Sequence, residues 1–220
     1  MTWTIPNILT MIRVLLIPCF VLLLFREEGS ARLAALMVFS AAALTDYLDG
    51  RIARAYNQRT EFGNFADPLA DKLLVSAALV SLTFLPEARV PLWAVLLILG
   101  REILITWLRI SAIRQQEAVE TSYWGKSKTA AQMTTIILVL IMLIAQAFIL
   151  ESLGKDAPEA PVAKDKFWEW YAGGAVWGDA LGALPPVLIL ITCFLALYSG
   201  FRYIMANRNI LFSAKRDKRH

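Results

Sequence analysis

Two pairs of aspartates stand at helical spacing in this chain: Asp46 and Asp49 three residues apart, Asp67 and Asp71 four apart. At about 100° per residue, Asp46, Asp49, Gly50 and Ala53 fall on one face of a predicted helix, with Arg54 at its edge. Gly63, Asp67 and Asp71 share a face across the following turn and helix. Carboxylates so close together repel one another unless a cation neutralises them. The simplest such cation is a hard divalent ion with oxygen ligands. Four acids suffice for two ions, and two ions can clamp a phosphate and stabilise charge during displacement at phosphorus. Pro68 follows Asp67, so Asp67 is expected to cap its helix or to precede a kink.

Basic and small residues accompany the acids. Arg54 can hold a phosphate oxygen with its planar fork. Gly50 and Ala53 would let a bulky ligand such as a nucleotide approach the backbone, although small residues also serve helix–helix packing. A second basic set comprises Arg101 and Arg109, two helical turns apart, with Lys126 and Lys128 before the next apolar run. Arg13 lies inside the first apolar run, where it must pair, reach water or snorkel.

The elements that position these groups are transmembrane helices. The 220 residues are 58% hydrophobic with a mean hydropathy of +0.55, too apolar for an ordinary soluble domain. Six spans are expected near 8–25, 33–55, 67–85, 91–113, 129–150 and 184–205. A short interfacial helix and a turn, with Trp3 and Pro6, are expected before the first. The connections around 51–72 and 109–128 and the tail after 205 are rich in Lys and Arg, which predicts cytoplasmic termini and a cytoplasmic acidic cluster. The 151–183 segment is predicted to be a long outer loop, with Pro158, Pro161, Pro185 and Pro186 at its edges. Its aromatic residues suit an interfacial anchor. The chain therefore predicts an all-α integral membrane protein, one domain over 1–220.

Other classes are disfavoured. The net charge of +4 is spread as punctuation between apolar runs and forms no patch for nucleic acid; it suits anionic lipid. Cys19 and Cys193 lie inside apolar runs and imply neither a disulfide framework nor a zinc site. The single histidine is His220. The first apolar run is long and carries Arg13, so no cleavable signal is expected.

The arrangement Asp46-x2-Asp49-Gly50-x2-Ala53-Arg54-x8-Gly63-x3-Asp67-x3-Asp71 resembles the signature of the CDP-alcohol phosphatidyltransferases, position for position. Three stretches, Ile5 to Arg13, Gly100 to Ile103, and Trp124 to Thr129 with Gln132, are most similar to members that accept glycerol 3-phosphate. The resemblance implies that Asp46, Asp49, Asp67 and Asp71 ligate two divalent cations, Mg²⁺ or Mn²⁺, and that Asp71 is also the general base. It implies that Asn7, Ile8, Leu9, Thr10, Gly50, Ala53, Arg54, Thr60 and Gly63 bind the CDP-diacylglycerol head group. Arg101, Lys126, Arg109 and Arg13 are the candidates for the acceptor phosphate, chosen on charge and membrane side. The implied reaction makes phosphatidylglycerophosphate and CMP, by a homodimer in a bacterial inner membrane.

Two alternatives follow from the same residues. One is another acceptor: inositol phosphate, serine or phosphatidylglycerol. The other is a cation-coupled transporter. A transporter is expected to carry acids near the bilayer middle and repeated halves, whereas these acids lie at the edges of spans and no repeat is visible.

Overall fold

The computed structural model describes residues 5–55, 61–114, 124–153 and 178–208. Six long helices occur among them: α1 (Ile5–Leu24), α2 (Gly29–Ala55), α3 (Glu61–Thr83), α4 (Leu92–Arg114), α5 (Trp124–Leu153) and α6 (Gly178–Ala206). A single 3-10 turn spans Pro86–Ala88, and no strand occurs among the described residues. Each expected span lies within one helix to within two residues at its ends. By length and composition, Asn7–Leu24, Ala130–Ile149 and Leu184–Ala206 can each cross a bilayer. The other three helices are interrupted by charge: Arg32 and the acids in α2, Asp67 to Lys72 in α3, and Arg101, Glu102 and Arg109 in α4. The described residues are all helical apart from short joints, and their apolar helices make this a membrane-embedded protein.

Three local expectations are corrected. Helix α1 runs unbroken from Ile5, so residues 5–7 form its first turn and no turn follows Pro6; the rest of the expected interfacial helix, with Trp3, lies outside the described residues. Pro6 fits in that first turn because first-turn N–H groups have no intrahelical acceptor. Helix α3 begins at Glu61, so Asp67 stands at an interior helical position and not at the N-cap. The 151–183 segment is helical at both ends, through Leu153 and again from Gly178. Pro185 and Pro186 therefore lie inside α6, where a membrane helix can tolerate them if the freed carbonyls find other partners. The rest of that segment, 154–177, lies outside the described residues.

The chain divides into two compact units: Met1–Arg89 with Ile136–Pro185, and Val90–Thr135 with Pro186–His220. In the first, α1 packs against α2 and α3, and α2 against α3. Ala35, Phe39 and Ala42 on α2, and Ala70, Leu74 and Ala78 on α3, are buried at helical spacing. Alanine at these places lets backbones approach closely, which matters where lipid supplies no hydrophobic drive between helices. Phe20 and Phe39 meet with ring centroids 5.5 Å apart. Helix α1 buries Asn7, Thr10 and Arg13 in its first half and Phe20 and Leu24 in its second, while Met11, Leu15 and Leu22 are exposed. Its inward face is thus polar at one end and apolar at the other, and its outward face suits lipid.

A polar cluster closes the apolar end of this unit. Arg32 is only 4% exposed and pairs with Glu87 at 3.1 Å. It also donates to the carbonyl oxygens of Arg26 and Leu143. The Glu151 carboxylate accepts the Gly29 N–H at 2.6 Å, placing an anion at the positive N-terminus of α2. Asp46 is 14 residues along α2 from Arg32, about 21 Å at the helical rise. Glu87→Ala is expected to cost about 1.5–3 kcal/mol, the range for a hydrogen bond to a charged group. In detergent it should lower the unfolding temperature while the folded protein keeps its turnover at low temperature. An unchanged unfolding temperature would make this pair energetically idle.

In the second unit, Ala94, Ile98 and Ile105 mark the buried face of α4, and Arg101 falls in line with them. On α6, Ile189, Thr192, Ala196, Ser199 and Tyr203 are buried at alternating spacings of three and four. Thr135 on α5 and Thr192 share a hydrogen bond of 2.7 Å.

Candidate functional site

Three helix ends of the first unit gather most of the expected site. Helices α1 and α2 are joined by four residues, and α2 and α3 by five. Packed helices with such short joints run antiparallel. The start of α1, the end of α2 and the start of α3 therefore share one end of the unit. Asn7 and Thr10 are buried, Arg13 is fully buried, Leu9 is half-buried and Ile8 is exposed. Across this end, the backbone is helical through Asp46, Asp49, Gly50, Ala53 and Arg54 on α2, and through Gly63, Asp67 and Asp71 on α3. The spacings of three and four are thus one-turn spacings in the folded chain.

Asp71 is half-buried, one residue beyond the buried Ala70. It leaves the acid-bearing end of α3 just where the apolar core begins. A carboxylate at that depth combines access with reduced hydration, which suits a metal ligand or a base. The donor chemistry fits a hard divalent cation: carboxylates at one-turn spacing on two packed helices supply oxygen ligands only. The side chains of Asp46, Asp49, Asp67, Gly50, Ala53, Arg54 and Gly63 lie outside the described residues, as does Thr60 altogether. Among the described residues no three His, Cys, Asp or Glu side chains form a metal-binding group.

The remaining candidates belong to the second unit. Arg109 is exposed on α4 and Lys126 lies in the first turn of α5, its side chain outside the described residues. Arg101 is half-buried and donates from Nη2 to Ser199 Oγ on α6 at 3.0 Å. Its Nε is buried without a hydrogen-bond partner among the described residues. An unmet buried donor costs about 1–3 kcal/mol.

Sequence reasoning missed Ser199 and Gly200, the residues that touch Arg101. The signal was present: Ser199-Gly200 interrupts an apolar run between Tyr198 and Phe201. Gln132, noted only as part of a motif, is buried with Nε2 unpaired among the described residues.

Comparison with known proteins identifies the family. The family model for CDP-alcohol phosphatidyltransferases matches residues 3–155, a stretch that holds all four aspartates, Arg101 and Lys126. A probable phosphatidylglycerophosphate synthase of Mycobacterium tuberculosis (strain CDC 1551 / Oshkosh) is 42% identical over 140 residues, covering 62% of this chain and 66% of the relative. The CDP-diacylglycerol–glycerol-3-phosphate 3-phosphatidyltransferase of Pseudomonas fluorescens is 41% identical over 160 residues, covering 66% and 80%. The enzyme of that name from Escherichia coli (strain K12) is 41% identical over 145 residues, covering 64% and 78%. The acid spacing, the helices that carry it and a family match spanning more than half of the sequence agree, and the chain belongs to the CDP-alcohol phosphatidyltransferases.

Proposed function

We propose that this protein transfers the phosphatidyl group of CDP-diacylglycerol to glycerol 3-phosphate, giving phosphatidylglycerophosphate and CMP. The observation that carries the acceptor is the identity of about 41% to relatives named for that reaction. The family uses divalent metal ions. In this reading Asp46, Asp49, Asp67 and Asp71 hold two of them, Mg²⁺ or Mn²⁺. Bound there, the ions would neutralise the pyrophosphate and the charge that develops on it.

The chain's own residues do the rest. Asp71 takes the proton from the 1-hydroxyl of glycerol 3-phosphate. The oxygen then bonds to the phosphorus that carries diacylglycerol, the phosphoanhydride bond breaks, and CMP departs with the bond's electron pair. Proton removal by a positioned carboxylate contributes about 10²–10⁴ in rate; positioning and charge stabilisation supply most of the remainder. Asn7, Ile8, Leu9 and Thr10 on α1, Gly50, Ala53 and Arg54 on α2, Thr60, and Gly63 on α3 hold the CDP-diacylglycerol head group. Arg101, Arg109, Lys126 and Arg13 supply positive charge for the acceptor phosphate. The diacyl chains stay in the bilayer while the head group enters between helices.

The same reading makes the chain one domain over 1–220 with six spans, both termini and the site on the cytoplasmic side of a bacterial inner membrane, acting as a homodimer. The Lys- and Arg-rich segments around 51–72 and 109–128 and after 205 support this orientation, and the bacterial sources of the relatives support the compartment.

CMP release by the purified protein tests the acceptor. With CDP-diacylglycerol and Mg²⁺, release is expected with glycerol 3-phosphate and not with serine, inositol phosphate or phosphatidylglycerol. Release with one of the others instead would keep the family chemistry and replace the acceptor.

A further inference from the structure

Ser199 and Gly200 are consecutive on α6, and both meet Arg101. Ser199 Oγ accepts the Nη2–H at 3.0 Å. At Gly200, an added Cβ would stand 3.0 Å from Arg101 Cγ and 3.1 Å from its Nε. Nine in ten real Cβ contacts are looser than this, so a side chain there would push the Arg101 stem by a few tenths of an ångström. One turn of α6 thus supplies a hydroxyl for the guanidinium and a groove for the chain that carries it. Both residues are buried.

Packing alone does not require this pair. A serine buried in an apolar helix can satisfy its hydroxyl on its own backbone, and Thr45 and Thr83 do so on α2 and α3. Ser199 instead accepts from a charged side chain 98 residues away in sequence. An arginine has many rotamers, and a planar fork recognises an oxyanion only in the correct plane. Fixing the stem and one nitrogen beforehand removes an ordering cost from binding. Ser199 occupies one of the five guanidinium N–H groups, leaving others for an incoming oxyanion.

We infer that Ser199 and Gly200 are positioning residues that preset the Arg101 guanidinium for the phosphate of the acceptor alcohol, an inference that rests on the proposed role of Arg101. Neither residue touches substrate. Their effect is selective for one of the two substrates because Arg101 serves only the acceptor.

Steady-state CMP release by the full-length protein tests this, with each substrate varied while the other is saturating. Ser199→Ala and Gly200→Ala are each expected to raise the KM for glycerol 3-phosphate about tenfold, the effect of one misaligned hydrogen bond. The KM for CDP-diacylglycerol and kcat should stay within about twofold. Ser199→Thr keeps the hydroxyl and should restore the acceptor KM. Adding Ser199→Ala to Arg101→Ala should raise that KM no further, since the two act through one group. If Arg101→Ala raises the acceptor KM and neither α6 variant does, the inference fails while the role of Arg101 stands. If Arg101→Ala leaves that KM unchanged, the role of Arg101 fails and takes the inference with it. A fall in kcat and unfolding temperature without a split between the two KM values would mark the pair as structural only and overturn the inference.

Discussion

Asp71→Asn is expected to lower kcat by about 10²–10⁴, the usual contribution of a positioned acid–base group, and by more if the lost charge also weakens cation binding. Asparagine has nearly the same shape and can keep the carbonyl half of its contacts, but it cannot take a proton. Asp71 stands on α3 beside Ala70 and three residues before Leu74, both buried against the core. The substitution should therefore leave the helix packed and the protein monodisperse in detergent. The measurement is single-turnover CMP release with both substrates saturating, alongside helicity and unfolding temperature. A folded Asp71→Asn protein with wild-type turnover would remove Asp71 as the base. A protein whose turnover recovers on raising Mg²⁺ would make Asp71 a ligand and leave the base elsewhere.

Removal of divalent cations is the second large effect. EDTA is expected to stop CMP release entirely, and Mg²⁺ or Mn²⁺ to restore it. The reason lies in the acids. Carboxylates at one-turn spacing on two packed helices raise the energy of the folded state unless positive charge sits among them. A cation that binds only the folded form stabilises it by mass action. Unfolding temperature should therefore rise with Mg²⁺ concentration in wild type and respond much less in Asp46→Asn or Asp67→Asn. This second readout does not depend on substrate. Full activity in excess chelator would falsify the cation requirement. Activity lost to chelator without any change in unfolding temperature would place the cation on the substrate instead of on the aspartates.

Most of the helix layout was legible in the sequence because it follows from local rules. An apolar run of about 20 residues must become a helix in lipid, where backbone groups have no water to bond. Boundaries were less legible. Pro6, Pro68, Pro185 and Pro186 read as punctuation, yet all lie inside helices. Proline breaks a helix by what it does to the preceding turn, and whether that turn has other partners is a tertiary matter. The aspartate spacing likewise declared its chemistry in advance, since three- and four-residue intervals mean one turn wherever the helix forms.

Charged residues inside spans divide differently. Arg13 and Arg101 read as basic residues inside expected spans, while Arg32 stood just before the expected 33–55 span. Folding gave Arg32 the carboxylate of Glu87 and two backbone carbonyls, and gave Arg101 one hydroxyl and a glycine groove. It buried Arg13 entirely, with Asn7 and Thr10 on the same face of α1. The sequence by itself determined the membrane class, the helices and the spacing of the acids, because each depends on neighbours within a few turns. Only the tertiary structure decided that α6 holds Arg101 and that Glu87 holds Arg32, because those contacts join residues far apart in the chain.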